Sequence, residues 1–207
     1  MSDPIRVLVV DDHAVVRSGL MLLVQHEPGM IPVAEASSGS EAITLFREHH
    51  PDVTLMDLRM KDIAGVEAIT AIRQEFPEAR IIILTTYDTD EDIYRGLQAG
   101  AKGYLLKDTL LDEIANAIRV VHSGKKYIPS EVGAKLSERI SSSQLSDREC
   151  EVLRLVAKGK SNREISESLH VAEGTVKMHI NHILTKLQVN DRTQAVVVAL
   201  KRGIIRI

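Results

Sequence analysis

Three carboxylates and one ammonium stand where short apolar runs end. Ile5-Arg6-Val7-Leu8-Val9-Val10 runs into Asp11-Asp12, Val53-Thr54-Leu55-Met56 into Asp57, and Gly103-Tyr104-Leu105-Leu106 into Lys107. A fourth run, Ile81-Ile82-Ile83-Leu84, ends in Thr85. In an α/β sheet, reaction sites lie just beyond the carboxyl ends of parallel strands. Four strand ends carrying these groups can therefore converge on one divalent cation and one phosphoryl group. Asp57 is a candidate nucleophile, since a carboxylate can take a phosphoryl group as an acyl phosphate. Asp11, Asp12 and Asp57 offer the hard oxygens that Mg²⁺ prefers. Lys107 is a mobile point charge for phosphoryl oxygens, and Thr85 offers them a hydroxyl. Singly, each has a plainer reading: Asp12 as a helix cap, Thr85 as the start of a turn, Lys107 as a solvated loop lysine. Together they are hard to explain otherwise, because clustered carboxylates repel one another without a cation.

Positioning these groups requires a sheet. Apolar runs at 5–10, 31–36, 53–56, 80–84 and 103–106 alternate with helical spacing at 14–25, 40–49, 64–75, 91–98 and 111–122. Pro51, Pro77 and Gly100 fall between elements, and Ser38-Gly39-Ser40-Glu41 has capping-box spacing. Five strands, each followed by a helix, predict an α/β flavodoxin-like, doubly wound five-stranded parallel sheet.

After His122 the pattern changes. Residues 124–143 read as a linker with room for a short polar helix over 130–140, and 144–207 as a small all-α, four-helix unit. Two capping boxes, Ser146-Asp147-Arg148-Glu149 and Ser161-Asn162-Arg163-Glu164, open its first two helices. The segment 159–187 suggests a helix-turn-helix, with 174–187 as the reading helix. Val176, Ile180, Ile183, Leu184 and Leu187 form its core stripe, leaving Lys177, Met178, Asn181 and Lys186 largely off it. The last helix is apolar around more of its girth than a surface helix needs, which suits pairing with a second copy or tighter packing within the monomer.

Bulk properties agree with two soluble parts. The chain has 207 residues and one cysteine, Cys150, so a disulfide framework is excluded and a small core residue is the expectation there. No run reaches a membrane span and no signal peptide precedes the first strand, so a cytoplasmic protein without a membrane partner is expected. The net charge of −3 conceals a division. Residues 1–140 hold 15 Lys and Arg against 22 Asp and Glu, whereas 141–207 hold 11 against 7. A basic tail behind an acidic front suits nucleic acid for the tail.

Asp11-Asp12, Asp57, Thr85 and Lys107 on five βα units resemble the receiver domain of two-component response regulators, over about residues 4–122. The resemblance implies that Asp57 accepts phosphate from a histidine kinase and that Asp11 and Asp12 bind Mg²⁺. It also implies that Thr85 and Tyr104 form a switch pair and that Lys107 contacts the phosphoryl group. The family often has proline four residues after the acceptor, where this chain has Lys61. Leu145-Ser146-Asp147-Arg148-Glu149, Gly159-Lys160-Ser161-Asn162-Arg163-Glu164-Ile165 and Thr175-Val176-Lys177-Met178-His179-Ile180 resemble the LuxR-type DNA-binding domain. That match puts Lys177, Met178 and Asn181 toward the groove, and Thr175, Lys186 and Arg192 toward phosphates. Many relatives carry a basic residue at the position of Asn181.

Both parts together resemble the NarL/FixJ family. The implied protein is a phosphorylation-switched transcription regulator, homodimeric on a double-stranded DNA operator, with RNA polymerase as a further partner. An Mg²⁺-dependent phosphatase with an Asp nucleophile is the rival reading. Enzymes of that kind resembling the haloacid dehalogenase group want a second acid two residues on, where this chain has Arg59. A dinucleotide-binding enzyme would want a Gly-rich turn in place of Asp11-Asp12-His13.

Overall fold

The computed structural model describes residues 3–86, 89–141 and 145–205. It divides into two compact units: the first runs to Ala134 apart from Thr89–Glu91, which group with Lys135 onward in the second.

The first unit alternates strand and helix: β1 (Ile5–Val10), α1 (Ala14–His26), β2 (Met30–Ala36), α2 (Gly39–His49), β3 (Val53–Met56), α3 (Gly65–Glu75), β4 (Ile81–Thr85), α4 (Asp90–Gln98), β5 (Gly103–Leu106) and α5 (Leu111–His122). All pairings are parallel, in the order β2-β1-β3-β4-β5. This is the expected doubly wound topology, whose strand order reverses between β1 and β3. Inner strands β3 and β4 are buried on both faces, which is why they read as nearly continuous apolar runs, broken only by Thr54 and closed by Thr85. Val7, Val9, Val53, Leu55, Ile82, Leu84 and Leu105 join Leu20 and Val24 of α1 and Ile114, Ile118 and Val121 of α5 in one core. Alternate positions, including Leu8, Met56, Ile83 and Tyr104, are also fully buried. The backbone of α4 comes so close that a Cβ at Gly96 would strike the Ile83 side chain. Edge strand β2 contains Pro32, and the β1–β2 register shifts between Val7 and Leu8, opposite Pro32 and Ala34. Proline, having no N–H for the ladder, is tolerated at such an irregular edge.

Most element bounds shift by a residue from those expected, and two details bear on the site. β4 takes in Thr85, because Thr85 pairs with Leu106 of β5. At the start of α2, Ser38 caps the Glu41 amide as its spacing suggests. The Glu41 carboxylate, however, accepts from the Ser37 amide and hydroxyl and does not close the box on Ser38. The Gly39 and Ser40 amides are met by Asp62, from the loop after β3.

A helix α6 (Ser130–Ser141) follows, and the second unit holds α7 (Asp147–Ala157), α8 (Asn162–Leu169), α9 (Glu173–Leu187) and α10 (Arg192–Lys201). Ser146 and Ser161 form complete capping boxes with Glu149 and Glu164. His170, left-handed at φ 54°, ends α8 and turns the chain toward α9. Val152, Leu153, Ile165, Val176, Ile183, Leu187, Ala195 and Ala199 make a separate core. Cys150 is half-buried, and burial pushes its thiol up, away from reactivity. No helix among the described residues is long and apolar enough to cross a membrane.

Candidate functional site

The reactive edge extends the strand ladder by one residue. The Asp57 amide donates to the Val10 carbonyl at 2.9 Å, and the Asp11 amide to the Ala36 carbonyl at 3.1 Å. The Lys107 amide donates to the Thr85 carbonyl at 2.9 Å. Backbone pairing therefore fixes Asp11 and Asp57 side by side at the β1/β3 reversal, with Lys107 following β5. Asp11 and Asp57 are almost wholly buried, and Thr85 and Tyr104 entirely so.

Lys107 Nζ bridges the two acids, 2.6 Å from Asp11 Oδ2 and 2.7 Å from Asp57 Oδ2. Burial pushes the Asp57 carboxyl above its usual range, against the pull of the Lys107 ammonium. Burial also opposes the charge on Lys107, but hydrogen bonds from it to Asp11 and Asp57 prevail and hold its pKa above the ordinary lysine value. Asp57 is thus a carboxylate short of positive charge, while its lysine is firmly charged. Asp12 lies beside them; its Oδ1 is buried and accepts no aligned hydrogen bond, although His13 Nδ1 stands 2.8 Å away. A buried carboxylate oxygen that accepts no hydrogen bond is costly in a protein interior. A divalent cation among Asp11, Asp12 and Asp57 would compensate it, so the donor set fits such an ion.

The loop after Asp57 is held from two sides. The Arg59 amide reaches Asp57 Oδ1 at 3.3 Å. Asp62 accepts from the Gly39 amide at 3.0 Å, the Ser40 amide at 3.0 Å and the Ser40 hydroxyl at 2.6 Å. Those bonds, led by the Ser40 hydroxyl, hold the Asp62 carboxyl far below the usual range. Farther along, a Cβ at Gly65 would collide with the Asp57 carbonyl oxygen and stand 2.7 Å from Leu58 Cα.

Sequence reasoning from strand ends does not reach Asp62, Gly65 or His13. His13 follows the acids by one residue, and its ring joins Asp11, Asp12 and Asp57 in one group of ligand atoms. Its residue type was the available signal. Asp62 and Gly65 act through the backbone of a loop whose path no periodicity announces.

On the second unit, Lys177, Met178 and Asn181 lie exposed on α9, off the stripe of Val176, Ile183 and Leu187. Thr175 is half-buried at the start of that helix. Lys186 and Arg192 are engaged within the unit. Lys186 Nζ stands 2.7 Å from Glu149 Oε2, and the Arg192 guanidinium donates to the Lys160 carbonyl at 2.7 Å. On α10, Ala195 and Ala199 face the core, whereas Val197 and Leu200 are exposed.

The family model for the response regulator receiver domain matches residues 7–119. That for bacterial regulatory proteins of the luxR family matches 143–199. The chain belongs to the response regulator family. It is 41% identical to the response regulator protein VraR of Staphylococcus epidermidis, over 98% of this chain and 99% of that one. VraR of Staphylococcus saprophyticus is 40% identical, over 98% of this chain and 100% of the relative. Among solved structures, the response regulator ChrA of a heme-sensing two-component system is 36% identical with a TM-score of 0.59, covering 99% of this chain and 100% of that one. An RcsB–DNA complex is 25% identical with a TM-score of 0.73, covering 96% and 99%. This response regulator is a phosphorylation-controlled, DNA-binding transcription regulator of the two-component type, with a flavodoxin-like receiver and a helical LuxR-type unit. The family is not one of classical enzymes, and its receiver domains use Mg²⁺ at an acidic pocket like the one formed here.

Proposed function

We propose that Asp57 is the phosphoryl acceptor of this response regulator, within a receiver of residues 1–123 joined by a linker (124–143) to a DNA-binding unit (144–207). The observation that carries the reading is the bridge of Lys107 between Asp11 and Asp57 at the β1/β3 reversal. In the transfer, an Asp57 carboxylate oxygen forms a bond to phosphorus as the P–N bond to the kinase histidine breaks. The electron pair of that bond stays on the imidazole, which takes up a proton. Asp11, Asp12 and Asp57 would hold Mg²⁺, which when bound would supply charge neutralisation for the phosphoryl oxygens. Lys107 contributes its ammonium to the same oxygens, and the Thr85 hydroxyl donates to them. A backbone hydrogen bond from the Lys107 amide to the Thr85 carbonyl ties the two residues that carry these groups. Tyr104, wholly buried on β5, gives the switch its aromatic member.

Phosphorylation then favours one of two receiver states and raises the affinity of the tail for its operator. Lys177, Met178 and Asn181 read bases, with Thr175, Lys186 and Arg192 toward the phosphates. For Lys186 and Arg192 that role requires release of Glu149 and of the Lys160 carbonyl. The exposed Val197 and Leu200 suit pairing of two copies on paired half-sites, and RcsB has been solved as dimers bound to DNA. The protein acts in the cytoplasm, with RNA polymerase as its downstream partner.

The deciding experiment incubates wild type and Asp57→Asn with a small acyl phosphate and Mg²⁺, then titrates each onto operator DNA. Labelling of wild type alone, with tighter DNA binding only after labelling, is the expected result. Equal DNA binding by both proteins with no labelling would reduce the receiver to a scaffold.

A further inference from the structure

We propose that His13 is a nitrogen ligand of the acidic pocket, so that the pocket takes first-row transition-metal dications ahead of Mg²⁺. The inference rests on reading this pocket as the receiver's cation site and adds a ligand to it. His13 Nδ1 stands 2.8 Å from Asp12 Oδ1 and 3.3 Å from Asp11 Oδ1. Neighbouring corners of an octahedron with bonds of about 2.0–2.1 Å lie roughly 3 Å apart. The ring nitrogen and the two carboxylate oxygens thus have the mutual spacing of adjacent ligands.

A simple hydrogen bond does not account for the approach. Asp12 Oδ1 is buried and accepts no aligned hydrogen bond, although Nδ1 is only 2.8 Å away. A close ring nitrogen and carboxylate oxygen without an aligned hydrogen bond leave both atoms open to a shared third partner. Nor does capping account for the ring. His13 is the N-cap residue of α1, yet its side chain makes no capping hydrogen bond. Its backbone is held instead, the His13 amide donating to Asp11 Oδ1 at 2.8 Å. The imidazole is therefore tethered beside the acids with Nδ1 turned toward them, and its 68% exposure leaves an incoming hydrated ion a way in.

The chemistry follows from ligand type. Mg²⁺ gains little from imidazole and is served by the carboxylates alone. Mn²⁺, Co²⁺, Ni²⁺ and Zn²⁺ bind imidazole well, with affinities that generally rise from Mn²⁺ to Ni²⁺. Adding one nitrogen to three carboxylates should therefore widen the gap between Ni²⁺ and Mg²⁺ while leaving the Mg²⁺ affinity nearly as it was.

The test titrates full-length wild type and His13→Ala with Mg²⁺, Mn²⁺ and Ni²⁺ separately by calorimetry. Pulsed electron paramagnetic resonance of the Mn²⁺-loaded proteins supplies a direct look at ligation. Wild type should bind Ni²⁺ more tightly than Mg²⁺, and the substitution should weaken Ni²⁺ by about tenfold or more. Mg²⁺ affinity should change by no more than about threefold, because its oxygen ligands remain. A ¹⁴N coupling on Mn²⁺ should appear in wild type and vanish in the variant. The assignment of His13 is overturned if the three affinities keep the same ratios in both proteins, or if wild type shows no nitrogen coupling. Failure of wild type to bind Mg²⁺ at all would overturn the underlying reading of the pocket, and His13 with it.

Discussion

Asp57 and Glu149 are both buried acids paired with a lysine, and their surroundings push them in opposite directions. For Asp57, burial outweighs Lys107 and raises the pKa, so the folded state holds the proton more tightly than the unfolded chain does. Its contribution to stability therefore falls as pH rises from the ordinary value of 3.8 through the folded one. Asp57→Asn should raise the melting temperature at neutral pH by roughly 2–4 °C, the scale of about 1 kcal/mol. Calorimetric scans should show that gain shrink at acid pH, where wild type is protonated, and shrink again with Mg²⁺ present. For Glu149, burial also opposes charge, but the Lys186 ammonium and the Ser146 amide prevail and lower the pKa. Its stabilisation is complete above the ordinary value of 4.5 and is lost as pH falls through the lower, folded value. Lys186→Met should destabilise the DNA-binding unit by about 1–3 kcal/mol at pH 7, discounted from a fully buried pair because the lysine is partly exposed. Thermal melts of the full-length variant across pH should show the deficit narrowing in acid, as Glu149 protonates.

At the scale of elements, the β3–α3 loop is where precision is stored. Gly65→Ala drives a methyl into the Asp57–Leu58 backbone, which has no flexible end to yield. A loss of about 1–3 kcal/mol is expected from such overpacking, together with much slower phosphorylation; paired melts and phosphodonor assays check both. Asp62→Ala unties the same loop from the start of α2, and amide exchange at Gly39 and Ser40 should accelerate while the sheet amides stay protected. These two residues show where reading the sequence runs out. Strand ends were legible because apolar runs, β-branched residues and an abrupt charge coincide within a few positions. The boxes at Ser146 and Ser161 were legible because each is completed within three residues of its own helix. The spacing at Ser38 misleads because Glu41 turns to Ser37, and the Gly39 and Ser40 amides are met by Asp62, 24 positions after Ser38, which no local pattern reports. Likewise Lys186 reads as a spare cation on a reading helix until Glu149, 37 residues earlier, is placed beneath it.

At the scale of the whole molecule, charge is divided between an acidic first part and a basic last part. Binding to DNA should therefore weaken steeply with salt, since each neutralised phosphate releases counterion. Lys177→Ala should leave the slope of log K against log salt nearly unchanged, because that lysine is read as facing bases; a fall of about one would place it on a phosphate instead. The same substitution should relax preference at one operator position, which titrations against a panel of single-base operator changes would show. Asn181, exposed on the same helix, is expected to set preference for adenine at its own position. The two-part organisation was legible because short apolar strand runs alternate with helical spacing up to His122, and only helical spacing continues beyond it. His13 lay in plain view, yet only assembled geometry brings its ring to the acids.

The one-residue continuation of the strand ladder also governs how such a chain can change by descent. Asp11, Asp57 and Lys107 keep their places through the same backbone bonds that seat the buried strands. An inserted or deleted codon inside β1, β3 or β5 would turn every following side chain to the opposite face and carry the reactive group with it. Core and pocket would be lost in the same mutational step, leaving no intermediate in which one survives to rescue the other. Length changes should therefore accumulate at the amino-terminal turns of the sheet, remote from this edge, while the reactive positions evolve by exchange of one residue for another.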